Sequence, residues 1–274
     1  MNTTAAHEAR AFVQTPLFEG LARAGYVARG LIYAVIGVLA VRLAQGLGGK
    51  PASQQGALQT ISDQALGHFL LLLMAIGLGG YALWRAAQAI VGTTPEAGRH
   101  STLDRIGAVG SAVAYGTFCV IAVSILLNDT AQSNSKDRKP RDLTADALTW
   151  PAGRWLVGLV GVVFLIVAGY QVYQGVSRRF LDDSKTGAMD PPVRKAFTWL
   201  GVVGHCARGV AFALIGLFIV RAAIDYKPSE AVGLDGALYR LTNHSYGPAL
   251  LLIVAFGLIA FGIYSVADAR FRKI

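Results

Sequence analysis

Residues 25–42 read GYVARGLIYAVIGVLAVR, and residues 204–221 read GHCARGVAFALIGLFIVR. The two stretches share their glycines, an Ala-Arg-Gly triplet and a closing arginine at one constant spacing. A weaker third copy, GAVGSAVAYGTFCVIAVS, begins at Gly107 and has Ser111 in place of the first arginine. Internal similarity at several places in one chain is the signature of a repeat architecture. The sequence therefore predicts three tandem copies of one unit.

Each copy is followed by the same landmarks in the same order: a Lys-Pro pair, an Ala-Leu pair, and a second apolar stretch with a small residue beside an aromatic one. These landmarks are Lys50-Pro51, Lys139-Pro140 and Lys227-Pro228, then Ala57-Leu58, Ala147-Leu148 and Ala237-Leu238, then Gly80-Tyr81, Gly169-Tyr170 and Ala260-Phe261. Helical spacing of Leu58, Ile61, Ala65 and Leu66 predicts a short interfacial helix inside the unit. The hydrophilic stretch Asp129–Thr149 is expected to be an exposed linker.

Six apolar blocks, two in each unit, make up most of the chain. Apolar residues are 54% of the total and charged residues 15%, against about 25% charged in soluble domains. Each block exceeds the ~20 residues that a helix needs to cross hydrocarbon, and a backbone without water must be helical there. The blocks are Ala24–Gln45, Gly67–Val91, Arg105–Asn128, Gly153–Gly175, Trp199–Ala223 and Gly247–Ala267.

The predicted fold is therefore all-α and transmembrane, with six helices from three tandem two-helix repeats. Because each unit crosses the membrane twice, all three enter in the same direction. Parallel repeats of this kind are related by an axis along the membrane normal, so we predict pseudo-threefold symmetry about it. We place the repeats at 21–92, 103–176 and 199–268, after an N-terminal cytoplasmic segment at 1–20.

Basic residues predict the orientation. The side that holds both termini carries 13 Lys/Arg and the other side 10, while each side carries eight acidic residues. Cytoplasmic loops are the ones enriched in Lys and Arg, so both termini are expected in the cytoplasm. No cleavable signal is expected, since Glu8, Arg10 and Glu19 interrupt the N-terminus.

The Arg-Gly pairs Arg29-Gly30 and Arg208-Gly209, with the later Ala-Leu and Gly-aromatic positions, resemble a bacterial membrane family catalogued as domain of unknown function 1206. The resemblance runs from about Leu21 to Ala267, and Ser111-Ala112 departs from the pattern. It implies three two-helix units in a bacterial inner (plasma) membrane. It implies no activity, cofactor or catalytic residue.

Arg29 and Arg208 are the strongest functional candidates, because polar groups inside a membrane are costly and often functional. Each follows an Ala and lies four residues before an aromatic, Tyr33 or Phe212, which shares its helical face. We expect both arginines about one turn inside the cytoplasmic boundary. They either snorkel to the interface or bind an anion such as a lipid phosphate. No carboxylate within the blocks is an evident partner, which favours a phosphate or backbone carbonyls.

Glycines predict how the helices pack. Gly30 and Gly37 are seven residues apart, as are Gly209 and Gly216, so each pair lies on one stripe of its helix. Small residues on a stripe let two helices approach closely, which is the main route to association in lipid.

No catalytic or metal-binding pattern is present. The histidines lie at unrelated positions, no Cys/His spacing matches zinc, and no G-x-S-x-G or phosphate loop occurs. We therefore expect neither an enzyme nor a cofactor, metal or nucleic-acid site. Two functions remain open: a non-catalytic module that binds anionic lipid or partner membrane proteins, and a small-solute or ion pathway along the repeat axis. An open, polar-lined axis would favour the pathway, and a sealed axis the module.

The orientation is testable by labelling. A cysteine added after Ile274, in a chain with Cys119 and Cys206 changed to Ala, is expected to react with an impermeant maleimide only after the membrane is permeabilised. Gln64→Cys, in the first loop, should react in intact cells. Labelling of the C-terminal cysteine in intact cells would show that the termini face outward.

Overall fold

The computed structural model describes residues 16–47, 49–91, 102–127, 140–242 and 246–273. In these ranges the chain forms six long helices, each long and apolar enough to cross a membrane. The predicted all-α fold with six such helices is thereby confirmed. The long helices are α1 (Pro16–Ala44), α3 (Gly67–Val91), α4 (Thr102–Leu127), α6 (Gly153–Val176), α7 (Pro191–Ile224) and α9 (Gly247–Phe271). The short helices are α2 (Gln54–Ser62), α5 (Pro140–Leu148) and α8 (Leu234–Thr242).

The helices follow the repeat in a cyclic order. The second long helix of each repeat packs against the first of the next, as α3 on α4, α6 on α7, and α9 back on α1. This is the arrangement that rotation about a common axis requires. Within the first and last repeats the two long helices also pack together, whereas α4 and α6 of the middle repeat do not pack closely. The ring of helices is therefore open between α4 and α6.

Small residues determine how closely α1 and α9 approach. A Cβ atom on Gly30 would lie 2.6 Å from the carbonyl oxygen of Gly262, and one on Gly37 would lie 2.7 Å from that of Ala255. Real Cβ atoms do not come this close to backbone oxygen, so any larger residue must push the two helices apart. The first and last repeats are thus joined by direct backbone contact.

The α6–α7 contact is built in the same way. A Cβ atom on Gly209 would lie 3.0 Å from the carbonyl oxygen of Ala168, and one on Gly216 would lie 2.9 Å from that of Gly161. The four glycines expected to mediate packing therefore all lie at close helix contacts.

These contacts also set the register between α6 and α9. Gly161 faces Gly216 as Ala255 faces Gly37, so Phe261 corresponds to Val167. The match of Gly169-Tyr170 to the other Gly-aromatic pairs is wrong by three residues. Small and aromatic residues recur at nearly every turn of α6, and a shift of three residues keeps a helical face almost unchanged.

The short helices dock through the Ala-Leu pairs. Leu58 and Leu238 are fully buried and Leu148 almost so. α2 ends at Ser62, so the expected continuation through Leu66 is wrong, and the Leu66 side chain is exposed. The expected linker is also partly wrong, because its residues 140–148 form α5; its residues 129–139 lie outside the described chain.

Gly30→Ala should separate α1 from α9. The change adds only a Cβ atom, and overpacking of this kind costs about 1–3 kcal/mol. Gly110→Ala on α4 is the matched control, since nothing lies within 4 Å of the added atom and alanine gains about 1 kcal/mol in helix propensity. Thermal unfolding in detergent should show a lower midpoint for Gly30→Ala and no loss for Gly110→Ala. Equal midpoints would contradict the close contact.

Candidate functional site

Arg29 is buried among protein groups. Its side chain donates from Nε to Ser265 Oγ (2.8 Å) and from Nη1 to the Tyr81 hydroxyl (3.2 Å). Nη2 lies 3.9 Å from a carboxylate oxygen of Asp268, and the guanidinium carbon lies 4.5 Å from the Tyr26 ring centroid. With 7% of the residue exposed, the guanidinium has little contact with lipid or water.

Asp268 is the counter-charge that sequence reasoning missed. Its side chain is fully buried, accepts a hydrogen bond from Ser184 (3.0 Å) and lies 3.4 Å from Arg272. The expectation that Arg29 has no carboxylate partner is therefore wrong. The predicted apolar block ended one residue before Asp268, whereas α9 continues to Phe271. The i,i+4 pair of Asp268 and Arg272 was the available signal.

The connection between α6 and α7 packs against Asp268 and Arg272. Arg272 pairs with Asp183 (2.9 Å), and the Lys185 amide donates to the Phe271 carbonyl (2.7 Å). From α1, the guanidinium of Arg23 donates to the last carbonyls of α9. These contacts, which we call the clasp, join the first repeat, the last repeat and the connection between α6 and α7, on the side where α1 begins and α9 ends. We refer to that side as the terminal side.

Arg208 occupies the same repeat position as Arg29 but has different surroundings. Its guanidinium carbon lies 5.1 Å from the ring centroids of Tyr33 and Phe212 and 4.9 Å from that of Phe261. Its Nε atom is inaccessible and has no hydrogen-bond partner among the described residues. The expected bracing by a ring four residues later is thus present at Arg208. Tyr33 faces Arg208 and not Arg29.

Both arginines lie far along their helices. At 1.5 Å per residue, Arg29 is about 20 Å from the first residue of α1 and Arg208 about 26 Å from that of α7. Arg208 is also about 14 Å beyond Trp199, a residue of the kind that anchors helices at the interface. Neither arginine lies in the first turn of its helix, and snorkelling stays a prediction. Head-group binding by Arg29 stays a prediction, and it would require Ser265 and Asp268 to release the side chain.

Aromatic rings fill the interior at the level of the arginines. Tyr33 packs edge-on against Phe261 (4.9 Å between centroids), and Tyr81 packs against Tyr115 (4.5 Å). All four are buried. Within the described chain, the interior at this level is therefore packed with side chains.

A basic pocket opens on the terminal side, where α6 ends and α7 begins. It has a volume of about 480 Å³ and is lined by Arg178, Met189, Pro191, Arg194, Lys195, Thr198 and Trp199. Arg178 adopts a left-handed backbone conformation (φ 56°) just after α6, which non-glycine residues rarely do. Trp199 is 64% exposed. Three cations and an exposed tryptophan thus line one shallow cavity, which we call the terminal pocket.

His205 and the two cysteines within the long helices have surroundings typical of residues that serve in packing. His205 is buried, its Nδ1 lies 2.8 Å from the Gly201 carbonyl, and its ring stacks on Phe180. Cys119 and Cys206 are free thiols. No three His, Cys, Asp or Glu side chains of the described residues are grouped so as to hold a metal ion.

Comparisons with known proteins agree with the repeat. The sequence profile of the family described as Domain of Unknown Function (DUF1206) matches three times, at residues 24–92, 106–178 and 203–272. The chain belongs to this family. It is 32% identical over 260 residues to the Uncharacterized protein YxxB of Bacillus subtilis (strain 168), over 94% of this chain and 93% of that protein. No solved structure gives a significant match.

The ends of the three family matches support the corrected register. The second and third matches end at residues 178 and 272, the same separation as that between Gly161 and Ala255. In this family member the clasp residue Arg272 is therefore the counterpart of Arg178 in the terminal pocket.

Because the two arginines have different surroundings, substitution by methionine is expected to change the stability of the protein differently at the two positions. Arg29→Met should destabilise the protein by about 3 kcal/mol, because it removes one partner of a buried ion pair. Arg208→Met should cause no loss, because it strands no carboxylate and removes a desolvated charge. The measurement is the unfolding midpoint of each purified variant in the same detergent. A larger loss for Arg208→Met would contradict the assigned surroundings.

Proposed function

We propose that this protein is a non-catalytic lipid-binding module of the bacterial inner membrane, with its terminal side and both termini in the cytoplasm. Its ligand is the anionic head group of a membrane phospholipid, bound in the terminal pocket. The ligand is of the class expected from the sequence, an anionic lipid. The principal site lies at the start of α7 and not at Arg29.

The observation that carries the proposal is the charge of the terminal pocket. Arg178, Arg194 and Lys195 line one cavity, and their side chains make no hydrogen bond or ion pair with the other residues that the structure describes. On the same side, Arg272 and Arg23 are both paired with carboxylates. Unpaired cations around a cavity are suited to phosphate oxygens, and basic pockets between membrane helices on the cytoplasmic side bind such head groups.

Position also favours a lipid over a soluble anion. The pocket lies at the first turns of α7, before its apolar portion, and the exposed ring of Trp199 forms one wall. Tryptophan prefers the level of the head groups. A phospholipid can therefore place its phosphate among the cations while its acyl chains stay in the bilayer.

The packed interior argues against the alternative of a solute or ion pathway. Tyr33, Tyr81, Tyr115 and Phe261 are buried at the level of the arginines, where a pathway along the axis would need a polar-lined opening. Partner membrane proteins remain a secondary possibility, for which the exposed faces of α4 and α6 offer apolar area.

Lipid retention tests the proposal. The double variant Arg178→Ala/Arg194→Ala should copurify with less phosphatidylglycerol than wild type, by at least tenfold in bound fraction, since charged hydrogen bonds of this kind contribute about 1.5–3 kcal/mol each. Bound lipid is counted by native mass spectrometry in a neutral detergent, with phosphatidylethanolamine as the zwitterionic reference.

The matched control removes two exposed cations from the same side. Arg105→Ala/Arg270→Ala lowers the net charge equally but leaves the terminal pocket intact. Equal phosphatidylglycerol retention in the two double variants would overturn the pocket as the binding site. Retention that follows total charge alone would point to a diffuse surface effect.

A further inference from the structure

Arg208 presents unused hydrogen-bond donors inside the bundle. The rings of Tyr33, Phe212 and Phe261 lie around its guanidinium. Aromatic rings interact with the face of a guanidinium, whereas its N–H groups point along its edges. The buried Nε–H of Arg208 therefore lacks an acceptor among the described residues.

The repeat shows which groups are missing. At Arg29, the facing helix α9 supplies Ser265 as acceptor and Asp268 as counter-charge. In the register set by the glycine contacts, α6 has Gln171 where α9 has Ser265, and Gln174 where α9 has Asp268. Two neutral amides thus replace a hydroxyl and a carboxylate. The negative charge that balances the first site has no counterpart in the second.

The two amides are themselves incompletely bonded. Gln171 is only 9% exposed, and its Nε2 has no partner among the described residues. The Oε1 atom of Gln174 is likewise buried without a partner. Gln171 lies between Ala168 and Gly175, which contact α7 on either side of Arg208. Unsatisfied donors of Arg208 and Gln171 therefore lie at one level of the α6–α7 contact.

The ring of helices has an opening between α4 and α6. These two helices do not pack closely on each other, while Arg208 points inward toward α1 and α9. Apolar side chains cover the outer faces of both helices, such as Val113 and Val120 on α4 and Ile166 on α6, each more than 60% exposed. An alkyl chain can lie against these side chains.

We propose that the protein binds a long-chain fatty acid, with its carboxylate at Arg208 and Gln171 and its alkyl chain in the opening between α4 and α6. One guanidinium carries one charge, which matches a carboxylate better than a doubly charged phosphate monoester in a low-dielectric interior. The planar fork of arginine binds carboxylates in a bidentate manner. The amide of Gln171 supplies a further donor.

Depth separates this site from the terminal pocket. Arg208 lies about 14 Å beyond Trp199 along α7, whereas the phosphate of a bilayer phospholipid stays at the interface. A single-chain carboxylic acid has a small head group and can enter from the side. The proposal is independent of phospholipid binding, and each can fail without the other.

Direct binding tests the site. Radiolabelled palmitate is titrated into the purified full-length protein in dodecyl maltoside. Saturable binding of one palmitate per chain is expected, with affinity lowered about tenfold or more in Arg208→Met, since the charged hydrogen bonds are lost. Gln171→Leu should weaken binding less. Arg221→Met is the control, because Arg221 is exposed in the last turn of the same helix, and it should bind as wild type does.

Competition identifies the head group. Unlabelled palmitate should displace the probe, while hexadecanol and lysophosphatidate of the same chain length should do so at least tenfold less well. Unchanged affinity in Arg208→Met, with an unfolding midpoint like that of wild type, would overturn the proposal. Equal displacement by hexadecanol would show that only the alkyl chain is recognised. Stronger displacement by lysophosphatidate would replace the carboxylate with a phosphate.

Discussion

Backbone contact between successive repeats is the constraint on which this structure depends. In a bilayer, burial of apolar side chains against other helices gains little over burial against lipid, so association relies on close packing and polar contacts. Gly30, Gly37, Gly209 and Gly216 provide that closeness at equivalent positions of α1 and α7. Where α4 has Ala112 and Cys119 instead, the contact with α3 is still made, and Cys119 Sγ lies 3.3 Å from the Ala75 carbonyl.

The general architecture could be predicted from the sequence because its determinants are local. Apolar length specifies the spans, and repeated landmarks specify the order of the units. The electrostatic partners could not, because they are distant in the chain. Asp268 and Arg29 are brought together only by the packing of α9 against α1, and Asp268 lies just past the apolar stretch that marked the helix. The register of α6 could not be predicted from the sequence either, because its small residues recur too often to mark one position.

Two copies of the same arginine have acquired different roles in the bundle. Arg29 is neutralised by Asp268 and helps to hold the ends of the chain together. Arg208 has rings around its guanidinium and lies beside neutral amides of α6. The repeat places the same costly buried charge in the protein twice. The residues of the facing helix decide whether each charge is paired with a carboxylate. Comparison of the facing helices, rather than of the arginines, is therefore what distinguishes a charge that is paired with a carboxylate from one that is not.

The clasp has a consequence for how the protein is made. α1 leaves the ribosome first and α9 last, yet the acid that neutralises Arg29 is carried by α9. Throughout translation the nascent chain holds an uncompensated cation in the bilayer, and only the final helix relieves it. A chain that stops before α9 keeps this charge without its carboxylate and lacks the contact between α1 and α9. Completion of synthesis is thereby coupled to completion of folding.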